Sequence, residues 1–88
     1  MKVIWKFPLI IRNKQTLSLP AGSEILTIQT QRNAPCMWVL LDPTQSFMEE
    51  RVFITHTTGM VGVESNEKYI GTYQVDDGYY VGHVFEQL

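Results

Sequence analysis

The pattern that most constrains the fold lies at residues 69–85, where two runs of β-branched and aromatic residues flank Asp77-Gly78. An Asp-Gly pair between such runs is the strongest local signal for a β-hairpin, because a type I′ turn needs positive φ at both central positions. The pattern therefore predicts an antiparallel hairpin with its turn at Asp77-Gly78.

The register of this hairpin decides which side chains share a face, because successive residues of a strand point to opposite sides of the sheet. Tyr73 comes opposite Gly82, so that an aromatic ring would cover backbone without a side chain. One face carries Gly71, Tyr73, Val75, Tyr80, Gly82 and Val84, and the other carries Ile70, Thr72, Gln74, Val81, His83 and Phe85. Neither set is cleanly polar, so we expect both faces to be covered, by a second sheet layer or by another chain.

The rest of the chain also alternates in the manner of β-strands. Apolar residues at every second position of 2–12 predict a first strand, and Pro8 within it favours a sheet edge, because proline cannot donate a ladder hydrogen bond. The apolar run 36–41 suits a central strand buried on both faces. Further strands are predicted over 15–19, 24–31 and 51–57, and in the second of these Leu26, Ile28 and Thr30 are expected to face in. A polar connection at 44–50 is long enough for one helical turn, and residues 58–68 are predicted to form a loop.

About seven short strands at spacings of about ten residues predict an all-β fold. We expect a small antiparallel sandwich or a partly open barrel, with little or no helix. The 88 residues suffice for a single domain, 1–88, with one modest core.

Composition excludes several classes of protein. A net charge of -2 provides no basic stripe to neutralise phosphates, which argues against nucleic-acid binding. No apolar stretch is long enough for an export signal or a membrane span. Cys36 is the only cysteine, so neither an intrachain disulfide nor a thiolate zinc cluster can form, and we expect a cytoplasmic protein.

The two histidines are the first candidates for acid–base chemistry, since histidine alone titrates near neutral pH when unperturbed. His83 lies opposite Thr72 in the predicted hairpin, a pair that more often packs than catalyses. His56 precedes Thr57-Thr58-Gly59 at a strand end, where loops on a rigid scaffold concentrate function. The spacing of histidine, cysteine and carboxylates provides no metal-binding motif, and no cofactor is expected.

Exposed aromatic residues and one loop are the candidate binding surface. Tyr79 and Tyr80 follow the predicted turn, and tyrosine is enriched at interface hot spots. The loop contributes His56, Thr57, Thr58, Gly59 and Met60.

Several segments of the chain resemble a family of small uncharacterised proteins of bacteriophages and bacteria that is known only as a domain of unknown function. They are Trp5-Lys6-Phe7-Pro8-Leu9, Leu19-Pro20-Ala21-Gly22-Ser23-Glu24-Ile25-Leu26, Gln29-Thr30-Gln31, Pro35-Cys36-Met37-Trp38, Leu41-Asp42-Pro43, Tyr69-Ile70-Gly71-Thr72-Tyr73-Gln74 and His83-Val84-Phe85-Glu86. The resemblance covers most of the chain and implies no activity. It also implies Gly-Thr-Gly-His where this chain has Thr57-Thr58-Gly59-Met60, and a thioether at Met60 cannot perform acid–base work.

We therefore expect a non-enzymatic accessory protein of phage type that acts as a binding module for a host protein or a small molecule, in the host cytoplasm if the chain is phage-encoded. The alternative is a self-associating structural protein, such as a homodimer, that assembles through strand edges or the C-terminal hairpin. A third interpretation is a small hydrolase that uses His56 or His83. Neither nucleic acid nor a membrane is an expected partner.

Overall fold

The computed structural model describes residues 1–88 and contains seven β-strands and no helix. The strands are β1 (Val3–Pro8), β2 (Lys14–Pro20), β3 (Glu24–Gln31), β4 (Ala34–Leu41), β5 (Met48–Thr57), β6 (Glu67–Val75) and β7 (Tyr80–Gln87). They form a three-stranded sheet in the order β1-β4-β3 and a four-stranded sheet in the order β2-β5-β7-β6. All neighbouring strands are antiparallel. The two sheets pack face to face as an open sandwich, so the all-β prediction is confirmed. No helix is present that is long and apolar enough to cross a membrane.

The C-terminal hairpin has the predicted register, with a longer turn than predicted. Residues 72–75 pair with 80–83 as expected. The turn contains four residues, 76–79, rather than two, and Asp76 joins Asp77 and Gly78 at positive φ. The backbone N–H of Asp76 donates to Asn33 Oδ1 at 2.8 Å instead of extending the ladder. This contact with the β3–β4 turn ends the hairpin pairing one residue early on each strand.

The aromatic ring of Tyr73 lies directly on Gly82, as predicted. A Cβ atom at position 82 would lie 2.6 Å from Tyr73 Cζ. Only 2% of Tyr73 is exposed. Burial raises the pKa of its hydroxyl, and the neighbouring Tyr80 adds to the shift.

Two β-bulges change which residues face the core. A bulge at Ile70 in β6 turns this side chain inward against the core and places Tyr69 on the outer face opposite Phe85. The expectation that Ile70 shares the outer face with Phe85 is therefore wrong. A second bulge, at Leu26 in β3, leaves Leu26 exposed, so the expectation that Leu26 faces inward is wrong, whereas Ile28 faces the core as predicted. Bulges insert one unpaired residue, so strict alternation from the sequence misplaces the residues beyond them.

The core lies between the two sheets. β4 is the central strand of its sheet, as predicted, and its inward residues Met37, Val39 and Leu41 are fully buried. On the outer face of β4, Cys36 is buried whereas Trp38 and Leu40 are only half-buried. The prediction of burial on both faces therefore holds fully for the inner face and only in part for the outer face. The ten buried hydrophobic residues of the core are Leu9, Leu19, Ile28, Met37, Val39, Leu41, Phe53, Tyr73, Val75 and Val84.

The edge strands of the two sheets agree in part with the prediction from the sequence. β1 is an edge strand, as Pro8 predicted. On the other side of the sandwich, the edge strands β3 and β6 are joined by a hydrogen bond of 2.8 Å from Thr30 Oγ1 to the backbone oxygen of Gln74.

The connection at 44–50 contains no helical turn, because β5 already begins at Met48, opposite Pro20 of β2.

A partly buried ion pair links strands of the four-stranded sheet. Arg51 donates from Nε and Nη2 to the two carboxylate oxygens of Glu86, at 2.6 and 2.8 Å. Its Nη1 donates to the backbone oxygen of Ser23 at 2.6 Å. The hydrogen bond to Glu86 raises the pKa of Arg51. This single side chain therefore ties β5 and β7 to the β2–β3 turn.

Candidate functional site

The outer face of the four-stranded sheet brings the two histidines of the chain together. β5 pairs with β7 so that His56 lies directly opposite His83. Side chains at such positions have their Cβ atoms about 4.5–5.5 Å apart. The two imidazoles are therefore neighbours on one face, although 26 residues separate them in the sequence.

His83 is the centre of a chain of hydrogen bonds. Its Nε2 lies 2.7 Å from Thr58 Oγ1, and its Nδ1 lies 3.0 Å from Thr72 Oγ1. The Thr72 hydroxyl in turn lies 2.6 Å from the hydroxyl of Tyr69. Every member of this chain can donate or accept, since the neutral imidazole has two tautomers and hydroxyl groups rotate. The predicted cross-strand pair of His83 and Thr72 is present and makes a hydrogen bond.

His56 pairs with a carboxylate at the start of β6. Its Nε2 lies 2.6 Å from Glu67 Oε1, and the two side chains are only 14% and 6% exposed. Glu67 Oε2 accepts a second hydrogen bond, of 3.0 Å, from the backbone N–H of Glu64. The hydrogen bond from His56 is the largest cause that holds the pKa of Glu67 below its ordinary value. The carboxylate thus stays ionised and anchors the C-terminal end of the loop to β5.

Phe85 contributes an apolar ring that contacts His56 and Tyr69. The rings of His56 and Tyr69 each meet it edge to face, with centroid distances of 5.4 Å. Such arrangements are preferred because the positive edge of one ring meets the negative face of the other. These contacts fix the orientation of all three rings.

The loop after β5 covers part of this face and forms a groove of about 250 Å³. We call this surface the histidine face. Its lining residues are His56, Thr57, Thr58, Gly59, Met60, Val63, Tyr69, His83 and Phe85. The inner face of the hairpin is covered by the second sheet, as expected, whereas its outer face is covered only in part, by this loop.

The structure brings together five of the residues predicted for binding and separates the other two. His56, Thr57, Thr58, Gly59 and Met60 all line the groove of the histidine face. The two tyrosines beside the hairpin turn do not. Tyr79 is 89% exposed in the turn, and Tyr80 stacks on Tyr73 on the inner face, with ring centroids 6.0 Å apart.

Tyr69 and Phe85 of the histidine face, and Glu67 beside it, were not predicted as site residues from the sequence. Tyr69 reaches it only because of the bulge at Ile70, which local alternation cannot reveal. Glu67 lay within the predicted loop and proves to start β6. Phe85 was placed on the same face as His83, but its contact with His56 required the pairing of β5 with β7.

The chemical capacity of the histidine face is limited by its composition. No three histidine, cysteine or carboxylate side chains converge where they could hold a metal ion. Glu67 is the one carboxylate among the groups described, and His56 hydrogen-bonds it. The remaining polar groups are hydroxyls and one imidazole that hydrogen-bond one another. The face therefore combines hydroxyl and imidazole groups with exposed apolar side chains.

Comparisons with known proteins identify a family whose function is unknown. The model of a family described as a domain of unknown function (DUF7352) matches residues 1–88. Neither a curated protein nor a solved structure matches the chain.

Proposed function

The chain belongs to the DUF7352 family of domains of unknown function, and we propose that it acts as a non-enzymatic binding module for a protein partner. The observation that carries this proposal is the exposure of apolar side chains on the loop after β5, of which Met60 and Val63 line the groove of the histidine face. Met60, Val61 and Val63 are 66%, 94% and 51% exposed. Contiguous apolar surface with a polar rim is typical of interaction sites.

The loop that bears these side chains is attached to the sheet near both ends. The Thr58 hydroxyl meets His83, and the backbone N–H of Glu64 donates to Glu67. A hydrogen bond of 3.1 Å from the Met60 N–H to the Thr57 oxygen tightens the turn. A loop ordered before binding loses less conformational entropy in the complex, which supports a role in recognition.

The dimensions of the groove favour a protein over a small ligand. Small-molecule sites usually enclose about 300–1,000 Å³ and bury most of the ligand. The groove measures about 250 Å³ and lies open on the sheet surface. Methionine and tyrosine, which Met60 and Tyr69 contribute, are enriched in protein interfaces.

A hydrolase is the second candidate, and one distance favours it. Thr58 Oγ1 lies 2.7 Å from His83 Nε2, which is the separation expected of a nucleophile and its general base. However, the group that orients His83 from the other side is the neutral Thr72 hydroxyl. A carboxylate in that position would stabilise the imidazolium that forms during catalysis, and a hydroxyl does so less well. Binding is therefore the function that the geometry supports better.

Site-specific photo-crosslinking tests the binding proposal. A photoreactive amino acid is placed at Val61, at Tyr79 or, as an exposed control on β2, at Thr16. We expect one discrete protein adduct from position 61 and none from position 16, and a V61D variant should lose capture of the same protein. The proposal fails if V61D captures as much partner as the wild type. An adduct from position 79 alone would move the site to the hairpin turn.

A matched pair of variants tests the hydrolase candidate. T58S keeps a hydroxyl near His83, whereas T58A removes it. Turnover of ester or phosphoester substrates that survives in T58S and disappears in T58A would support the hydrolase. Equal turnover, or none in the wild type, would count against it.

A further inference from the structure

We propose that the outer face of the three-stranded sheet is the interface of a symmetric homodimer. We call this surface the tryptophan face, and it lies on the opposite side of the sandwich from the histidine face. Its residues, taken from the paired positions of β1, β4 and β3 with the bulged Leu26, are Ile4, Lys6, Glu24, Leu26, Thr27, Gln29, Trp38 and Leu40. The inference is independent of the proposed binding function.

The strand register places an apolar centre on the tryptophan face. Leu40 lies between Ile4 on β1 and Glu24 on β3, and Trp38 lies between Lys6 and Thr27 in the next row. Ile4 is 55% exposed, and the two β4 side chains are half-buried. A solvated sheet face usually carries polar residues at such positions. The centre of this face is therefore composed like an interface.

A depression beside the central tryptophan offers a place for a side chain of the second copy. Its volume is about 290 Å³, and its lining residues are Ile4, Leu26, Thr27, Gln29 and Trp38. Leu26 is 41% exposed at its rim, because the bulge turns it away from the core. Tryptophan is among the residues most enriched in interface hot spots, which lie in such apolar pockets near the centre of the contact.

The charges of the tryptophan face complement a second copy of it. Among its paired positions, Lys6 on β1 is the only cation and Glu24 on β3 is the only anion. Lys6 donates to Gln31 Oε1 at 2.5 Å and pairs with no carboxylate of its own chain. A two-fold axis along β4 lays β1 of one copy over β3 of the other. Each Lys6 then lies about 7 Å along the strand from the position facing Glu24 of the other copy, within reach of its long side chain.

The size of the face predicts a weak dimer. Three strands about 4.8 Å apart, two of eight residues and one of six, project an area of roughly 350 Å² per copy. The total of about 700 Å² lies below the 1,200–2,000 Å² of stable complexes. We therefore expect a dissociation constant on the order of 1–100 µM, set by the apolar centre and the two ion pairs. Such a dimer would direct two histidine faces outward on opposite sides.

Charge exchange tests the interface without altering the core. Sedimentation velocity over about 1–500 µM protein should show the wild type passing from monomer to dimer. K6E and E24K should each weaken dimerisation by about tenfold, because like charges then face each other. The double variant K6E/E24K should recover affinity to within about threefold of the wild type, since the pair is only reversed. E50K is the matched control on the other sheet and should leave the equilibrium unchanged.

Each alternative outcome overturns the proposal. A wild type that stays monomeric at about 500 µM has no such interface. A dimer that K6E and E24K leave unchanged uses another surface, such as backbone pairing along the β1 edge, where Glu24 takes no part. A double variant that dimerises no better than the single ones lacks the proposed complementarity. Circular dichroism melts of all variants show that the fold is retained.

Discussion

The contact between Tyr73 and Gly82 permits the sharpest prediction about stability. In G82A, the new Cβ would lie 2.6, 2.7 and 2.8 Å from ring atoms Cζ, Cε1 and Oη of Tyr73. Carbon atoms in contact normally lie about 3.5–4.0 Å apart, so the ring must shift by roughly 1 Å. The ring is buried and stacked on Tyr80, so this shift disturbs a close-packed core.

The expected cost of G82A follows from two opposing effects. Overpacking a core costs about 1–3 kcal/mol. Replacing glycine in a strand returns about 0.4–1 kcal/mol, because alanine loses less backbone entropy on folding. We therefore expect G82A to lower the free energy of unfolding by about 1–2 kcal/mol. At about 4–8 °C per kcal/mol for a domain of this size, the melting temperature should fall by about 4–16 °C.

A double-mutant cycle with Y73L isolates the contact. Without the aromatic ring, G82A should be neutral or slightly stabilising, so the coupling energy between the two positions should be about 1–3 kcal/mol. Urea unfolding followed by the fluorescence of Trp5 and Trp38 measures all four free energies. A coupling energy below about 0.5 kcal/mol would refute the reasoning, because G82A would then act independently of the ring.

Three further sets of variants test other contacts. R51M leaves the partly buried Glu86 carboxylate without its partner, and urea unfolding should show a loss of about 1–3 kcal/mol. The double variant R51M/E86L should recover most of this loss. The pKa of Glu67 is lowered in the folded state, so the contribution of this carboxylate to stability is present above about pH 4.5 and is lost as the pH falls through its folded-state pKa. Thermal melts of E67Q should therefore show a smaller loss of stability in acid than those of the wild type. An unchanged dependence on pH would contradict this prediction. G78A should lower stability by about 1 kcal/mol, because φ is +87° there, whereas D77G should be neutral or better.

The sequence predicted part of the candidate site and missed its organisation. The segment from His56 to Met60 is a candidate because it follows a strand end, and its residues line one groove. The position of His83 beside Thr72 followed from the hairpin register. What could not be predicted was the contact of this pair with the loop, through Thr58. That contact depends on β5 and β7 becoming neighbours, and several strand orders would satisfy the same alternation.

The outer face of the three-stranded sheet shows a second limit of prediction from the sequence. The run 36–41 predicted burial on both faces of its strand, yet Trp38 and Leu40 lie on an outer face. Hydrophobic residues alone do not reveal whether the covering layer is part of the chain or a second molecule. Only the arrangement of the two sheets, with β4 between β1 and β3, shows that no other strand of the chain covers this outer face.

The sequence by itself determined the strands and the C-terminal hairpin, because alternation and turn chemistry act over a few neighbouring residues. The short turn around Asp77-Gly78 left one register for Tyr73 and Gly82, and the structure has it. The tertiary structure alone decided that His56 faces His83 and that the bulge at Ile70 brings Tyr69 beside them. These arrangements depend on which distant strands bury their apolar faces together. The pairing of distant strands is determined by packing over the whole core, so no single segment of the sequence determines it.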